Sequence, residues 1–133
     1  MAIKFNHTIV HSNDPRESAE FLAGLFGLPA PKPFGPFLDV DVSNEVTLAF
    51  LSADGMEIQM QHYAFLVSDA EFDQIFGRLR ARGLPYWADP GKQHAGEINR
   101  HFGGRGVYFD DPSGHLLEII TRPYGDWSEV TSR

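Results

Sequence analysis

The chain contains itself twice. NHTIVHSNDPRESAEFLAGLFGLPA, starting at Asn6, runs parallel to QHYAFLVSDAEFDQIFGRLRARGLPY, starting at Gln61. His7 matches His62, and an Asp follows each seven residues later, at Asp14 and Asp69. Both copies end on Gly-Leu-Pro, at Gly27-Leu28-Pro29 and Gly83-Leu84-Pro85. The offset is 55 residues at the histidines and 56 at the glycines, so one inserted residue separates the copies. A repeat of this length is one supersecondary unit used twice, which restricts the fold to paired modules.

Each copy reads as a strand, a helix and further strands. In the first, Phe5, His7, Ile9 and His11 alternate onto one strand face. Asp14-Pro15-Arg16-Glu17 predicts a helix start, with Asp14 as N-cap, Pro15 at N1 and Glu17 at N3. Phe21, Leu22, Leu25 and Phe26 form the apolar stripe, and Gly27 ends the helix. In the second, Ser68-Asp69-Ala70-Glu71 is a capping box, followed by Phe72, Ile75, Phe76 and Leu79 at helical spacing. Pro33 to Pro36 reads as a turn-rich entry. Phe37 to Val42 and Glu45 to Leu51 then predict a hairpin around Ser43-Asn44. Its counterpart is Gly106 to Asp111 with His115 to Thr121, joined by Pro112-Ser113-Gly114. Residues 88–104 predict a polar loop with one short strand, and the tail after Pro123 a surface extension.

The 133 residues are enough for one domain with its own core. That domain is expected over 1–125, as two modules of about 4–52 and 59–122, with 126–133 as a C-terminal tail. There is no cysteine, which excludes disulfides, zinc-thiolate sites and a cysteine nucleophile. No signal peptide is expected from MAIKFNHT, and no stretch is long and apolar enough to span a bilayer. A cytoplasmic protein with no membrane partner follows as the expectation. The net charge of -7 repels phosphate backbones, so nucleic acid is not an expected partner.

Glu118 lies inside Leu116-Leu117-Glu118-Ile119-Ile120, where an unpaired carboxylate is costly to bury. Two imidazoles and one carboxylate from three strands would form a facial triad with open coordination positions. A single strand histidine is more often structural, and a buried Glu usually finds an Arg. The ligand reading gains from both histidines obeying the repeat. We therefore expect His7, His62 and Glu118 to hold one divalent metal. Aligning the hairpins through Ser43 and Ser113 sets Leu48 against Glu118, give or take one residue, so the first copy lacks a carboxylate there. Counting outward from the turn sets Tyr108 opposite Glu118 on the same face, where it could donate a proton to a bound substrate oxygen. Arg105, within Gly103-Gly104-Arg105-Gly106, could clamp an anionic substrate with Asn99 and Arg100 beside it. His11 shares the face of His7 and could line the cleft. His94 and His101 are expected in solvent, and His115 in the turn.

His strand, capped helix, Gly-Leu-Pro, His strand, helix and then FDDPSGHLLEI resemble the vicinal oxygen chelate superfamily over about residues 4–122. That superfamily includes glyoxalase I, bleomycin-resistance proteins, fosfomycin-modifying thiol transferases and extradiol dioxygenases. The resemblance implies an α+β fold of two βαβββ modules forming a curved mixed sheet around a metal cleft. It also implies ligands at His7, His62 and Glu118, iron, manganese, zinc or nickel as the metal, and a homodimer. A small, oxygen-rich substrate chelating the metal is the implied partner. Glyoxalase I adds a fourth ligand where this chain has Leu48. The fosfomycin enzymes carry serine and basic residues where this chain has Phe102, Gly106 and Trp127. The alternative function is a metal-free protein that sequesters a drug or metabolite.

Overall fold

In the computed structural model, which describes residues 2–125, Asp14 accepts a hydrogen bond from the Glu17 amide and so starts α1 (Pro15–Phe26). Pro15 follows at N1, where a missing N–H costs nothing. Gly27 stops the helix in the left-handed conformation, φ 70°, which a residue without Cβ adopts freely. The buried stripe is Ser18, Ala19, Leu22, Ala23 and Leu25, with Phe21 and Phe26 half-exposed at its margins.

The chain forms two compact units, divided between Gln59 and Met60, with the turn Asp111–Ser113 belonging to the first. The first unit holds β1 (His7–Ser12), α1, β2 (Lys32–Phe34), β3 (Phe37–Asp41) and β4 (Thr47–Ser52). Its sheet has the order β1-β4-β3-β2. β1 is parallel to β4 and the remaining pairs are antiparallel. α1 packs on β1, β3 and β4, and Val10, Leu38, Val40, Leu48 and Phe50 join the helix stripe as core. Ser12, Ser18 and Ser113 close a buried hydroxyl cluster, with Ser12 Oγ to Ser18 Oγ at 2.6 Å and Ser12 Oγ to Ser113 Oγ at 3.1 Å. Each hydroxyl finds a partner there, as burial demands.

The second unit holds β5 (His62–Leu66), α2 (Asp69–Ala81), β6 (Gly106–Asp110) and β7 (Leu116–Ile120), with strand order β5-β7-β6. β5 is parallel to β7, and β6 antiparallel to it. α2 opens with the expected box: Ser68 accepts from the Glu71 amide while Glu71 accepts from the Ser68 amide. Its buried face is Phe72, Ile75 and Leu79, and the core is completed by Val107, Phe109, Leu117 and Ile119. The α+β class with two mixed sheets agrees with the sequence.

Two local expectations need correction. Lys32–Phe34 is a strand folded back on β3, where a turn was expected, because Gly35 at φ 57° makes the tight reversal. The loop 88–104 contains no named strand; Trp87 and Asn99 make isolated bridges beside β6, and His101–Gly103 is a 3-10 turn. His115 lies between the turn and β7, as expected, and is 1% exposed. Its Nδ1 accepts from the Gln61 amide at 3.0 Å, and its ring meets Tyr63 edge-on. The tail 126–133, including Trp127, lies outside the described residues.

Candidate functional site

One face of the second sheet carries the chemistry. Strand alternation sends Val107, Phe109, Leu117 and Ile119 into the core, so Tyr108 and Glu118 turn to the other face. β6 and β7 pair Tyr108 directly with Glu118, and β5 and β7 pair Ala64 with Glu118 and His62 with Leu116. The expected register of Tyr108 is therefore what the hairpin adopts.

His62 Nε2 lies 3.0 Å from Glu118 Oε1, with the imidazole 44% and the carboxylate 12% exposed. His62 Nδ1 lies 3.1 Å from the Leu116 carbonyl. A carbonyl only accepts, so Nδ1 carries a hydrogen and the neutral ring presents its lone pair at Nε2. That lone pair then faces a carboxylate oxygen, and two acceptors at 3.0 Å need a cation between or beside them: a proton or a metal. The donor set fits a divalent ion, because tying Nδ1 to a backbone carbonyl is how a ligating histidine is oriented.

The Tyr108 hydroxyl hydrogen-bonds with Glu118, and its ring stacks on His62 at 5.8 Å and 26°. Burial first, then the negative charge of Glu118 and the hydrogen bond to it, push the phenol well above its ordinary range. The hydroxyl therefore keeps its proton at neutral pH. Beyond Tyr108 the row continues to Trp87, bridged to it through two backbone hydrogen bonds. Lys92 Nζ stands 4.7 Å from the Trp87 ring and 2.7 Å from Asp110 Oδ2. Sequence reasoning missed Trp87 and Lys92, since nothing in a polar loop announces a bridge to Tyr108.

His7 and His11 lie on β1 in the first unit, both exposed, with Val10 and Ser12 buried on the opposite face. His7 Nδ1 is 2.7 Å from Asn6 Oδ1, which leaves Nε2 as its lone-pair atom, as in His62. The pairing Ile9–Ala49–Asp39 in this sheet corresponds to Ala64–Glu118–Tyr108 in the other. Ala49, not Leu48, is thus the counterpart of Glu118. Asn44 rather than Ser43 matches Ser113, because both hairpin loops span five residues between their strands. The first copy lacks the carboxylate all the same. Its β3 carries one instead at Asp39, the counterpart of Tyr108, and only the register reveals it.

The structure brings His62, Glu118 and Tyr108 together. No third His, Asp or Glu joins His62 and Glu118 at metal-binding distance among the described residues. Arg105, expected as an anion clamp, has its guanidinium engaged: Nη1 donates to Asp73 at 2.8 Å, Nη2 to Asp69 at 3.0 Å, and the group lies 4.4 Å from the Phe72 ring. Asn99 is buried and donates to the Ala88 carbonyl, while its Oδ1 accepts from the His101 amide. It holds the loop. Arg100, His94 and His101 are exposed.

A family model described as the Glyoxalase/Bleomycin resistance protein/Dioxygenase superfamily matches residues 4–119. A glutathione transferase FosA from Serratia marcescens is 30% identical over 124 residues, 90% of this chain and 81% of that protein. The solved structure of oxidase ChaP-H1 is 60% identical with a TM-score of 0.90, covering 93% of this chain and 99% of that one. Oxidase ChaP-H2 is 54% identical, also with a TM-score of 0.90, over 94% and 98% of the two chains. A lactoylglutathione lyase from Agrobacterium tumefaciens, 18% identical with a TM-score of 0.68 over 94% of this chain and 96% of its own, shares the fold.

Proposed function

The chain belongs to the glyoxalase/bleomycin resistance protein/dioxygenase superfamily, and from that premise we propose that it is a metal-dependent enzyme of the oxidase type, acting on a small oxygen-rich substrate that chelates a divalent metal. The observation that carries the reading is the facing pair of His62 Nε2 and Glu118 Oε1, with His62 Nδ1 tied back to a carbonyl. His7, whose Nδ1 is tied to Asn6, is the third ligand in this proposal. The oxidase class is favoured by the 60% and 54% identical structures, both named oxidases.

When bound, the ion supplies Lewis-acid polarisation of substrate oxygens, and iron or manganese adds redox chemistry with dioxygen. The side chains of the chain do the rest. Glu118 contributes the anionic charge and accepts the Tyr108 hydrogen bond. Tyr108 holds its one proton at Oη, where it can leave Glu118 and turn to an oxygen of the substrate. Trp87 continues the same row and offers an indole surface to the remainder of the substrate.

The deciding experiment is elemental analysis of the protein purified without chelators, under air and anaerobically. It is followed by oxygen uptake with a panel of compounds carrying adjacent oxygens. Stoichiometric metal with substrate-dependent uptake is the expected result. Metal without uptake, but with glutathione consumed, moves the chain to the thiol transferases. Failure to bind any divalent metal after reconstitution returns it to a sequestering protein.

A homodimer is part of the proposal. β1 and β5 each close one end of their sheet, and each exposes apolar side chains, with Ile9 44% and Leu66 60% exposed. Unpaired strand edges carrying apolar groups are normally covered, and a twofold copy is the usual cover.

A further inference from the structure

Lys92 holds a left-handed backbone conformation, φ 59°, that a glycine would adopt more freely. The loop is built to keep it there. The Asp89 carboxylate accepts from the Gln93 amide at 3.0 Å and the His94 amide at 2.8 Å, and the Asp89 carbonyl accepts from the Lys92 amide at 3.2 Å. The turn holds out an ammonium: Nζ lies 4.7 Å from the Trp87 ring centroid and 2.7 Å from Asp110 Oδ2. Trp87 pairs with Tyr108, and Asp110 follows Tyr108 by two residues on β6, so all three side chains share the face of Glu118. The Asp89 charge reaches the Tyr108 phenol as well, which sets the turn beside it. Every one of these residues belongs to the second unit.

An ammonium has three donors. Asp110 takes one, the indole faces the charge, and the group is 42% exposed, so a donor remains open to a ligand. Arg105 offers nothing comparable: its guanidinium is 22% exposed and turned to Asp69 and Asp73 on α2. The row Asp110–Leu116–His62 spans two interstrand steps, about 10 Å in all. We infer that Lys92 is a specificity-determining residue: it favours a chelator whose second, anionic group lies on the far side of a ring from the oxygens held at His62 and Glu118. The inference deepens the proposed metal-dependent reading and uses only its His62–Glu118 pair.

The test uses the Mn(II)-loaded protein with kojic acid and comenic acid as probes. Both chelate through the same ketone and hydroxyl oxygens. Across the ring, comenic acid carries a carboxylate and kojic acid a neutral hydroxymethyl group. Binding is read by water-proton relaxation of the bound Mn(II) in wild type, Lys92→Asn, Lys92→Gly and Lys92→Arg. Asn and Gly both tolerate the left-handed backbone, so these two variants remove the charge without adding strain. The ratio of comenic to kojic affinity is expected to fall about fivefold in both, and to be largely retained in Lys92→Arg. A Lys92 that only holds the loop would weaken both probes together and leave the ratio where it was. An unchanged ratio in Lys92→Asn and Lys92→Gly with Mn(II) bound overturns the role of Lys92 and leaves the metal reading standing. A ratio that falls as far in Lys92→Arg also overturns it, because the charge is then not what is read. No Mn(II) binding in wild type overturns the metal reading and this inference with it.

Discussion

Tyr108 and Glu118 stand opposite each other on neighbouring strands, and the phenol hydrogen-bonds to the carboxylate. The same carboxylate is 3.0 Å from His62 Nε2. One acidic side chain thus orders a phenol and an imidazole around itself, and the expected consequences can be measured separately.

Replacing Glu118 by Gln removes the only anionic member of the proposed ligand set while keeping its shape. Metal affinity is expected to fall by about a hundredfold or more, and His62→Ala and His7→Ala to do the same. His115→Ala is expected to destabilise the fold by about 2 kcal/mol, through loss of packing and of the acceptor for the Gln61 amide, with metal stoichiometry kept in the folded fraction. Elemental analysis after gel filtration, with circular dichroism as the fold check, reads all four. A folded Glu118→Gln variant with full occupancy would show that Glu118 is no ligand.

The Tyr108 phenol is raised above its ordinary pKa, so the folded state holds that proton more tightly than the unfolded chain does. Its contribution to stability is complete below the unfolded value of about 10 and is lost as pH rises beyond it. Ultraviolet titration of phenolate is expected to find Tyr108 silent near pH 10. Tyr108→Phe should leave the phenolate signal at that pH unchanged and flatten the alkaline loss of stability. Loss of one tyrosine's worth of phenolate signal near pH 10 in the variant would contradict the assignment.

Arg105→Ala removes two charged hydrogen bonds and a stacking contact with Phe72. Both carboxylate partners are largely exposed, so screening leaves the ion pairs a small share. A total cost of about 1 kcal/mol is expected in urea unfolding, mostly from the guanidinium over the ring. Arg105→Lys should recover part of it. Unchanged stability together with weakened binding of an anionic ligand would assign Arg105 the clamp role instead.

Asp14→Ala removes the cap of α1 and is expected to cost about 1 kcal/mol without changing metal content. An unaltered melting midpoint would mean that the helix start does not depend on it.

Sedimentation at micromolar concentration is expected to give a species of twice the 14.9 kDa chain mass, about 30 kDa. Replacing Ile9 and Leu66 together by Lys should shift it toward the monomer. A wild-type protein that sediments only as the monomer would remove the dimer from the proposal.

The sequence determined whatever depends on neighbours along the chain. Asp14 and Ser68 cap their helices because the capped amides lie three residues on, and Gly27 ends α1 because the left-handed residue must lack a Cβ. The Tyr108–Glu118 pairing was legible for the same reason, since a short hairpin turn fixes the strand register. Tertiary structure decided what depends on residues distant in sequence. Parallel strands β1 and β4 are joined through a helix and a hairpin, so the identification of Ala49 as the counterpart of Glu118 had to come from the assembled sheet. Arg105 is drawn to Asp69 and Asp73, more than thirty residues earlier, by charges that no local pattern links to it. Asp39 looks like any alternating polar residue in a strand; only the assembled sheet shows Lys32 and Thr47 both reaching Asp41, while Asp39 Oδ1 has no partner among the described residues. Local rules fix which groups a chain presents, but competition among partners for the same donors is settled only once the strands lie side by side.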